Sequence, residues 1–309
     1  MEENVKKFDI KYILRPVIFV AVLLFCVSML SVLFHTVLDS KSIRINGYEY
    51  EVEDSLDIVA VGNSNLYSSF VPAIMYKEYG YTSYNCGQSE QNLQESYDIL
   101  KRVFKKQHPS IVILETEHFF VHKNAVLQSM SNDFYSVMNH DNWKDFDKVF
   151  TKNGRKKLTL SKGYIRSEAV SAYMDGDAYM TKNNKMKIVM KKKYEKYLNK
   201  IVELCKKNGA ELLLVKTPSV YTWSINRSRY VSEFADRNNL KFIDFNTNYA
   251  ESGIDLKFDT RDRGNHLNNN GASKVTRFVG DFIDSNFTIT RKNREDKNHW
   301  QKCVNNYYC

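Results

Sequence analysis

A serine follows a short apolar segment of the sequence, at a point where a strand would give way to a helix. The segment reads VAVGNSNLYS from Val59 to Ser68, and Gly62-Asn63-Ser64 stands at the change. In an open parallel sheet, ligands bind outside the carboxyl ends of the strands. Ser64 is therefore placed either to act as a nucleophile or to help bind a phosphate. Taken alone, a serine here is also a common helix N-cap.

The residues around Ser64 complete neither a known phosphate-binding motif nor a nucleophile-elbow motif. The turn has neither G-x-G-x-x-G nor G-x-x-x-x-G-K-[ST], the glycine patterns that wrap phosphates. Leu66 stands where a G-x-S-x-G nucleophile elbow has its second glycine. What remains is a serine at the start of a helix, where free backbone N–H groups can stabilise a negatively charged oxygen.

A serine nucleophile needs a general base, and the base needs a group that orients it. His266 lies just ahead of the last amphipathic segment, and Asp262 precedes it by four residues. A carboxylate that holds one imidazole nitrogen leaves the other free to take the serine proton. Gly87 follows the second predicted strand and offers a backbone N–H for the oxyanion.

These segments, taken in order, resemble the SGNH/GDSL hydrolase superfamily. The order is Gly62-Asn63-Ser64, then Asn85-x-Gly87, then Asp262 through His266-Leu267-Asn268 to Asn270-Gly271-Ala272. The chain resembles most the membrane-anchored, extracytoplasmic branch with alginate O-acetyltransferases and the D-alanyl-transfer protein of teichoic-acid modification. The resemblance spans roughly residues 57–286. It implies a flavodoxin-like fold, Ser64 as nucleophile, His266 as base, Asp262 as its orienter, and the Ser64 and Gly87 N–H groups as oxyanion donors.

Two departures from the family pattern bear on catalysis. The family places its acid three residues before the histidine, where this chain has Arg263; Asp262 is four residues before it and Asp259 seven. The family's Gly-x-Asn-Asp block after the third strand is replaced by Glu115-Thr116-Glu117-His118. An oxyanion donor is thus missing, and losing one typically costs about 100- to 1,000-fold in rate. We therefore expect no fast general esterase.

Other polar residues are candidates for the same pocket. Glu117 and His118 form a candidate metal pair or alternative base, but no third ligand stands at a suitable spacing. Lys216 either contributes a cation to the pocket or simply ends a strand. We expect neither a metal nor an organic cofactor. The further pocket candidates are Asn63, Glu117, His118, Lys216 and Asn268.

Short apolar runs that alternate with helical patterns predict a three-layer α/β/α domain with a five-stranded parallel sheet. Residues 119–184 interrupt this alternation and predict a helical insertion over the carboxyl edge of the sheet, either a lid or docking surface or ordinary helical packing. The predicted strands are 57–62, 82–86, 110–114, 210–216 and 240–245, and the predicted helices are 91–106, 186–207, 228–238 and 271–286.

The N-terminus carries a candidate membrane anchor. Residues 16–38 contain no Lys, Arg, Asp or Glu and are long enough to cross a bilayer as a helix. A cleaved signal peptide is the alternative, but it would have a shorter apolar core and a small-x-small cleavage pattern. Lys and Arg residues before the segment predict a cytoplasmic N-terminus over residues 1–15. Residues 39–289 would then form an extracytoplasmic domain, followed by a polar tail over 290–309 that we expect to pack loosely.

Charge and cysteine content bound the partners. The net charge is +9, and the lysines of residues 182–200 allow one helix with a basic face, either a solvated surface or a site for anionic lipids or an anionic envelope polymer. We expect no nucleic-acid partner for an extracytoplasmic domain. Cys303 and Cys309 either form a disulfide or stay as two thiols, while Cys86 and Cys205 have the surroundings of buried single cysteines.

The sequence leads to two functional hypotheses. The first is a serine-dependent esterase or acyltransferase that acts on a cell-envelope polysaccharide or glycopolymer through an acyl-Ser64 intermediate. The resemblance implies a membrane-bound O-acyltransferase as partner. The second is a catalytically inactive envelope scaffold or glycan-binding module that keeps the fold, with Ser64 only capping a helix.

Overall fold

Five parallel strands form the centre of the molecule in a computed structural model. The structure describes residues 10–37, 44–120, 159–185, 188, 190–292 and 296–308. The second strand of the chain lies at one side of the sheet, followed by the first, third, fourth and fifth, which is the flavodoxin-like order. The predicted three-layer α/β fold is therefore confirmed. The strands are β1 (Ile58–Val61), β2 (Ser83–Asn85), β3 (Ile111–Glu115), β4 (Glu211–Lys216) and β5 (Lys241–Asp244).

The register of the strands brings their carboxyl ends to one edge. Val61 is aligned with Leu114, and Glu115 is aligned with Val215 in the next strand. The central strands β1 and β3 are buried along their whole length, as expected for a parallel sheet covered on both faces. Polar residues that follow β1, β3, β4 and β5 therefore share one edge, which we call the carboxyl edge.

Amphipathic helices cover both faces of the sheet. Helix α3 (Leu93–Val103) packs against α4 (Lys192–Lys207) on one face, and α6 (Asn269–Asn286) packs against the short helix Met75–Tyr79 on the other. Asn92 begins α3 with a reciprocal capping box to Glu95. The labelled helices are α1 (Lys11–Val37), the single turn α2 (Ser64–Tyr67), α3 (Leu93–Val103), α4 (Lys192–Lys207), α5 (Ile225–Asn238), α6 (Asn269–Asn286) and α7 (Lys297–Tyr308).

Helix α1 contains the predicted apolar segment. Residues Lys11–Leu30 are long and apolar enough to cross a membrane, and none of this stretch is buried against the domain. Within the described residues, this is the one helix with that property. Its composition fits a membrane anchor, while the side of the membrane on which the domain lies remains a prediction.

The predicted insertion is described only in part. Residues 121–158 lie outside the described residues. Residues 159–178 form turns and extended segments, and a short helix follows at Tyr179–Lys182. The extended part lies at the carboxyl edge, where the N–H of Ile165 donates to the carbonyl of Tyr67 at 2.9 Å.

The lysine-rich segment 182–200 is not one helix, which corrects the prediction. Helix α4 begins only at Lys192. Asn183 Nδ2 donates to the carbonyls of Val220 and Trp223, and Asn184 Oδ1 accepts the N–H of Asn226. These hydrogen bonds fix the segment to the loop after β4, so the lysines do not share a single helical face.

The C-terminal segment is packed rather than loose. Helix α7 buries Trp300, whose ring stacks on Tyr76 with centroids 5.1 Å apart, and Lys162 Nζ lies 4.6 Å from the Trp300 centroid. Cys303 is a buried free thiol, and its proposed partner Cys309 lies outside the described residues. Cys86 and Cys205 are buried free thiols, as expected.

We predict that Trp300→Ala will destabilise the domain by about 3–5 kcal/mol, because truncating a buried tryptophan leaves a cavity. Urea denaturation of the detergent-solubilised protein, followed by far-UV circular dichroism, measures this change. Gln301→Ala, at an exposed position of the same helix, should leave the free energy of unfolding nearly unchanged. Equal effects of the two substitutions would show that the helix does not pack.

Candidate active site

Ser64 is placed by the tight end of β1. Asn63 Oδ1 accepts the N–H of Asn65 at 2.9 Å and caps α2, so the side chain of Ser64 is not the cap. Gly62 ends the strand against its neighbour, because a Cβ there would lie 2.5 Å from Glu115 Cβ. The sequence predicted an N-cap at this turn, but Asn63 fills that role. The hydroxyl of Ser64 is thereby left for other contacts.

The loop between β5 and α6 holds His266 by its backbone. Thr260 and Leu267 form an antiparallel bridge, and Arg261 N–H donates to the carbonyl of His266 at 3.1 Å. Between them, Arg263 and Gly264 have left-handed backbone angles, with φ of 59° and 89°. This reversal turns Asp262 back toward His266, which explains how an acid four residues away can reach the imidazole.

Asp262, His266 and Ser64 form one chain of hydrogen bonds. Asp262 Oδ1 accepts the backbone N–H of His266 at 2.6 Å, and Asp262 Oδ2 lies 2.5 Å from His266 Nδ1. His266 Nε2 lies 2.8 Å from Ser64 Oγ. An ionised carboxylate only accepts hydrogen bonds, so it fixes the ring proton on Nδ1 and leaves Nε2 to accept the serine proton.

The environment of Asp262 favours its ionised form. Partial burial alone would raise the pKa of this carboxyl, but hydrogen bonds from the ring and backbone of His266, with the charges of His266 and Arg261, lower the pKa below its usual value. Asp262 therefore remains an acceptor for the imidazole at neutral and mildly acidic pH.

A second contact joins the histidine loop to the serine helix. Arg261 Nη2 donates to Ser68 Oγ at 2.9 Å, and Ser68 Oγ donates to the carbonyl of Ser64 at 2.8 Å. Arg261 thus connects the two segments one helical turn from the nucleophile position. Sequence reasoning did not single out this arginine.

The oxyanion donors are only partly as expected. Gly87 lies close to α2, since a Cβ on it would be 3.1 Å from both Asn63 O and Tyr67 N. Its N–H, however, donates to Asn85 Oδ1 at 3.0 Å. Asn63 Oδ1 caps Asn65 rather than Ser64, so the N–H of Ser64 has no acceptor among the described residues. Of the two predicted donors, the N–H of Ser64 is the available one.

A buried charge cluster lies directly behind the serine turn. Lys216 Nζ is 3.0 Å from Glu115 Oε1 and 2.9 Å from Glu117 Oε2, and Lys216 is fully buried. Asn65 Nδ2 donates to Glu117 Oε2, which links the cluster to the residue after Ser64. An ion-paired carboxylate thus lies beside the serine turn, and Lys216 offsets the negative charge that would oppose an oxyanion.

The pKa values of the cluster follow from burial and pairing. Burial alone would raise the pKa of Glu117, but the charge of Lys216, with hydrogen bonds and the charge of His266, lowers it. Burial alone would lower the pKa of Lys216, but Glu115 and Glu117 raise it. Both groups are therefore held in their charged forms at neutral pH.

The remaining candidates have structural roles. Asn268 caps α6 by accepting the N–H groups of Asn270 and Gly271. His118 is fully buried; its Nε2 lies 3.4 Å from Ser96 Oγ and its ring meets Phe119 edge-on. Asp259, the alternative acid, pairs with Lys274 Nζ at 2.7 Å instead of with His266. In the part of the chain that the structure describes, no three His, Cys, Asp or Glu side chains are grouped as metal ligands.

The ion pair between Glu115 and Lys216 was not predicted from the sequence, although the sequence contains a signal for it. Glu115 ends β3 and Glu117 lies two residues later. Lys216 ends β4, the strand predicted to come next in the chain, which pairs with β3. In a parallel register these ends meet, so a lysine between two carboxylates could have been inferred.

Comparisons with known proteins find similarity of structure only. No protein-family model matches the chain, and no curated protein sequence matches it. A structure described as a lipolytic protein of the G-D-S-L family, from Desulfitobacterium hafniense, is 14% identical, with a TM-score of 0.41 over 72% of this chain and 97% of that one. A GDSL-like lipase from Bacteroides thetaiotaomicron is 11% identical, with a TM-score of 0.39 over 80% and 99%.

A third similar structure is the esterase EstA from Pseudoalteromonas, inhibited by monoethylphosphonate. It is 10% identical, with a TM-score of 0.41 over 74% of this chain and 97% of that one. At these TM-scores the likeness does not bear on the activity of this chain. The hydrogen bonds of its own site have to carry the functional conclusion.

We predict that Lys216→Met will destabilise the protein by about 3–5 kcal/mol at pH 7.5, because it leaves two buried carboxylates without a cation. Without the charge of Lys216, burial disfavours the ionised form of Glu117, so this carboxylate takes up a proton more readily as the pH falls. The loss should therefore shrink at pH 5.5. In the wild type the pH dependence of stability has the opposite sign. The lowered pKa of Glu117 contributes stability that is lost only as the pH falls through that pKa.

Urea denaturation at the two pH values measures both effects. Lys206→Met, at an exposed position of α4, is the matched control and should change the free energy of unfolding little at either pH. A loss for Lys216→Met that is the same at pH 5.5 and 7.5 would contradict the role assigned to the carboxylates.

Proposed function

We propose that this protein is a serine-dependent acyltransferase or esterase that works through an acyl-Ser64 intermediate. The observation that carries the proposal is the hydrogen-bonded chain from Asp262 through His266 to Ser64. A helix cap or a scaffold needs no carboxylate-oriented imidazole against a serine hydroxyl, whereas nucleophilic catalysis by serine needs both.

In the proposed first half-reaction, each group of the hydrogen-bonded chain has one role. Ser64 Oγ attacks the ester carbonyl carbon while His266 Nε2 takes the hydroxyl proton, and Asp262 stabilises the resulting imidazolium. The carbonyl oxygen becomes an oxyanion near the N–H of Ser64. When the intermediate collapses, the C–O bond to the leaving alcohol breaks and His266 returns the proton to that alcohol. The acyl group is then bound to Ser64.

In the second half-reaction, a hydroxyl group attacks the acyl-enzyme and gives its proton to His266. Ser64 Oγ then leaves as the alcohol and recovers the proton. With water as acceptor the product is a free acid, and with a sugar hydroxyl it is a new ester. The reduced set of oxyanion donors supports slow, selective chemistry over general ester hydrolysis.

We propose further that the acceptor is a cell-envelope polysaccharide or glycopolymer. Helix α1 has the composition of a membrane anchor, and an anchored domain on the extracytoplasmic side would meet such polymers. A membrane-bound O-acyltransferase that exports the acyl group is the proposed partner, because an extracytoplasmic enzyme has no direct access to cytoplasmic acyl donors.

One observation favours the alternative of an inactive scaffold. The N–H of Gly87 is engaged by Asn85, and Glu117 replaces the expected donor side chain. A binding module that retained the fold would not need either donor. The two functions are separated by whether Ser64 reacts covalently.

We predict that a serine-reactive fluorophosphonate will form a single adduct on the full-length, detergent-solubilised protein. His266 and Asp262 make Ser64 the activated hydroxyl, so Ser64→Ala should abolish the adduct seen by intact mass. Asp262→Asn should slow its formation by about 1,000- to 10,000-fold, since it loses the carboxylate that orients the base.

Ser69→Ala is the matched control, because Ser69 Oγ is buried and has no hydrogen-bond partner among the described residues. This variant should label at the wild-type rate. Absence of an adduct on folded wild-type protein would favour the scaffold, and an adduct that survives Ser64→Ala would assign the nucleophile elsewhere.

We also predict the phenotype of a strain whose chromosomal gene encodes the Ser64→Ala variant. Its envelope glycopolymer should carry no more ester-linked acyl groups than that of a strain in which the gene is deleted. The reason is that transfer requires the acyl-serine. Proton NMR of the purified polymer before and after mild base measures these esters. Asp255→Asn, an exposed change in the segment between β5 and α6, should preserve them. Unchanged ester content in the serine variant would contradict the glycopolymer assignment.

A further inference from the structure

The chain enters the domain at the carboxyl edge, close to the nucleophile. The Arg44 guanidinium carbon lies 4.7 Å from the ring centroid of Tyr67, which is three residues after Ser64. Tyr67 in turn contacts Ser89, in the loop after β2. From there the chain reaches the opposite edge at Asp54, whose N–H donates to the carbonyl of Lys106 before β3. The guanidinium group of the first described residue of the domain therefore lies beside the helix that begins at Ser64.

The connection from α1 to this point is short. Helix α1 ends at Val37, and six residues separate it from Arg44. Seven Cα-to-Cα steps span at most about 25 Å when fully extended. A globular domain of this size is about 45 Å across. If α1 crosses a membrane, the carboxyl edge is thus held within about half a domain diameter of the end of that helix.

Exposed apolar side chains are concentrated at the same edge. After α1, eight large apolar side chains are exposed in the described part of the chain, and five of them follow this edge. We call these five the apolar rim. Its members are Val170, Met174, Tyr221, Ile225 and Phe258, and the most exposed are Met174 at 67% and Phe258 at 62%.

The rim residues belong to segments that are bonded to one another around the histidine loop. Ser171 N–H donates to Thr260 O at 2.8 Å, and Tyr173 N–H donates to Leu256 O at 3.1 Å. These contacts place the segment with Val170 and Met174 along the segment with Phe258. The loop with Tyr221 joins them, because Val220 N–H donates to Gly264 O at 3.0 Å. The rim therefore surrounds the loop that carries Asp262 and His266.

We propose that the apolar rim docks on the surface of the lipid bilayer in which α1 is anchored, so that Ser64 faces the membrane. This inference rests on the membrane anchor of the proposed function and extends it to the orientation of the site. Exposed charges beside the rim have both signs, Lys257 and Arg263 against Asp175 and Asp255, so apolar contact rather than net charge holds the edge.

The orientation limits the substrates that can reach the serine. A group carried by a lipid, or presented at the headgroup level by a membrane protein, would enter the site directly, whereas a polymer remote from the membrane would have to approach from the side. The acyl donor and the acceptor should therefore meet at the bilayer surface.

Fluorescence quenching by spin-labelled lipid tests the orientation in the full-length protein. Single cysteines at Met174→Cys, Phe258→Cys and Val52→Cys, made in a Cys26→Ser, Cys309→Ser background, are labelled with bimane. The protein is reconstituted alone in phosphatidylcholine–phosphatidylglycerol vesicles with a headgroup nitroxide. Val52 is the control, because it is exposed but its carbonyl accepts Gln107 Nε2 at the opposite edge.

We expect several-fold stronger quenching at positions 174 and 258 than at position 52. Equal quenching at both edges, or stronger quenching at position 52, would overturn the proposal. Quenching at the rim that appears only after a cell-membrane extract is added would also overturn it, in favour of a protein partner. Ser64→Ala in the same background should give the same pattern, so the orientation is tested whether or not Ser64 reacts.

Discussion

The carboxylate of Asp262 accepts two hydrogen bonds from His266, one from its backbone and one from its ring, and the candidate site depends on this pair of contacts. The backbone bond closes the loop, and the ring bond fixes the proton on Nδ1. With the ring so held, Nε2 meets the hydroxyl of Ser64. A free imidazole would instead sample several rotamers and both tautomers, and the serine would have no defined base.

The sheet supplies the second condition, because parallel strands bring their carboxyl ends to one edge. Ser64 follows β1, Glu115 and Glu117 follow the line of β3, and Lys216 ends β4. The buried charges behind the serine turn are tolerable since they are paired and hydrogen-bonded. The same cluster places the ion-paired carboxylate of Glu117 against Asn65, the residue after Ser64.

In the proposed orientation, the carboxyl edge would also join the candidate site to the membrane helix α1. The chain from α1 arrives beside Tyr67, and the extended segment over residues 165–175 runs along the histidine loop. A domain held in this way needs little freedom to present its site to the bilayer. In the proposed acyl-transfer reaction, substrate choice would then follow from the position of the site as well as from its chemistry.

The sequence by itself determined the five-stranded α/β fold, the apolar N-terminal segment and the pairing of Ser64 with His266, because these depend on local periodicity and on the order of strand ends. Tertiary structure decided the contacts that depend on loop geometry. Left-handed residues at 263 and 264 select Asp262 rather than Asp259, and the Asn85 side chain occupies the N–H of Gly87. Packing also ordered the polar C-terminal segment, since the partners of Trp300 lie far away in sequence.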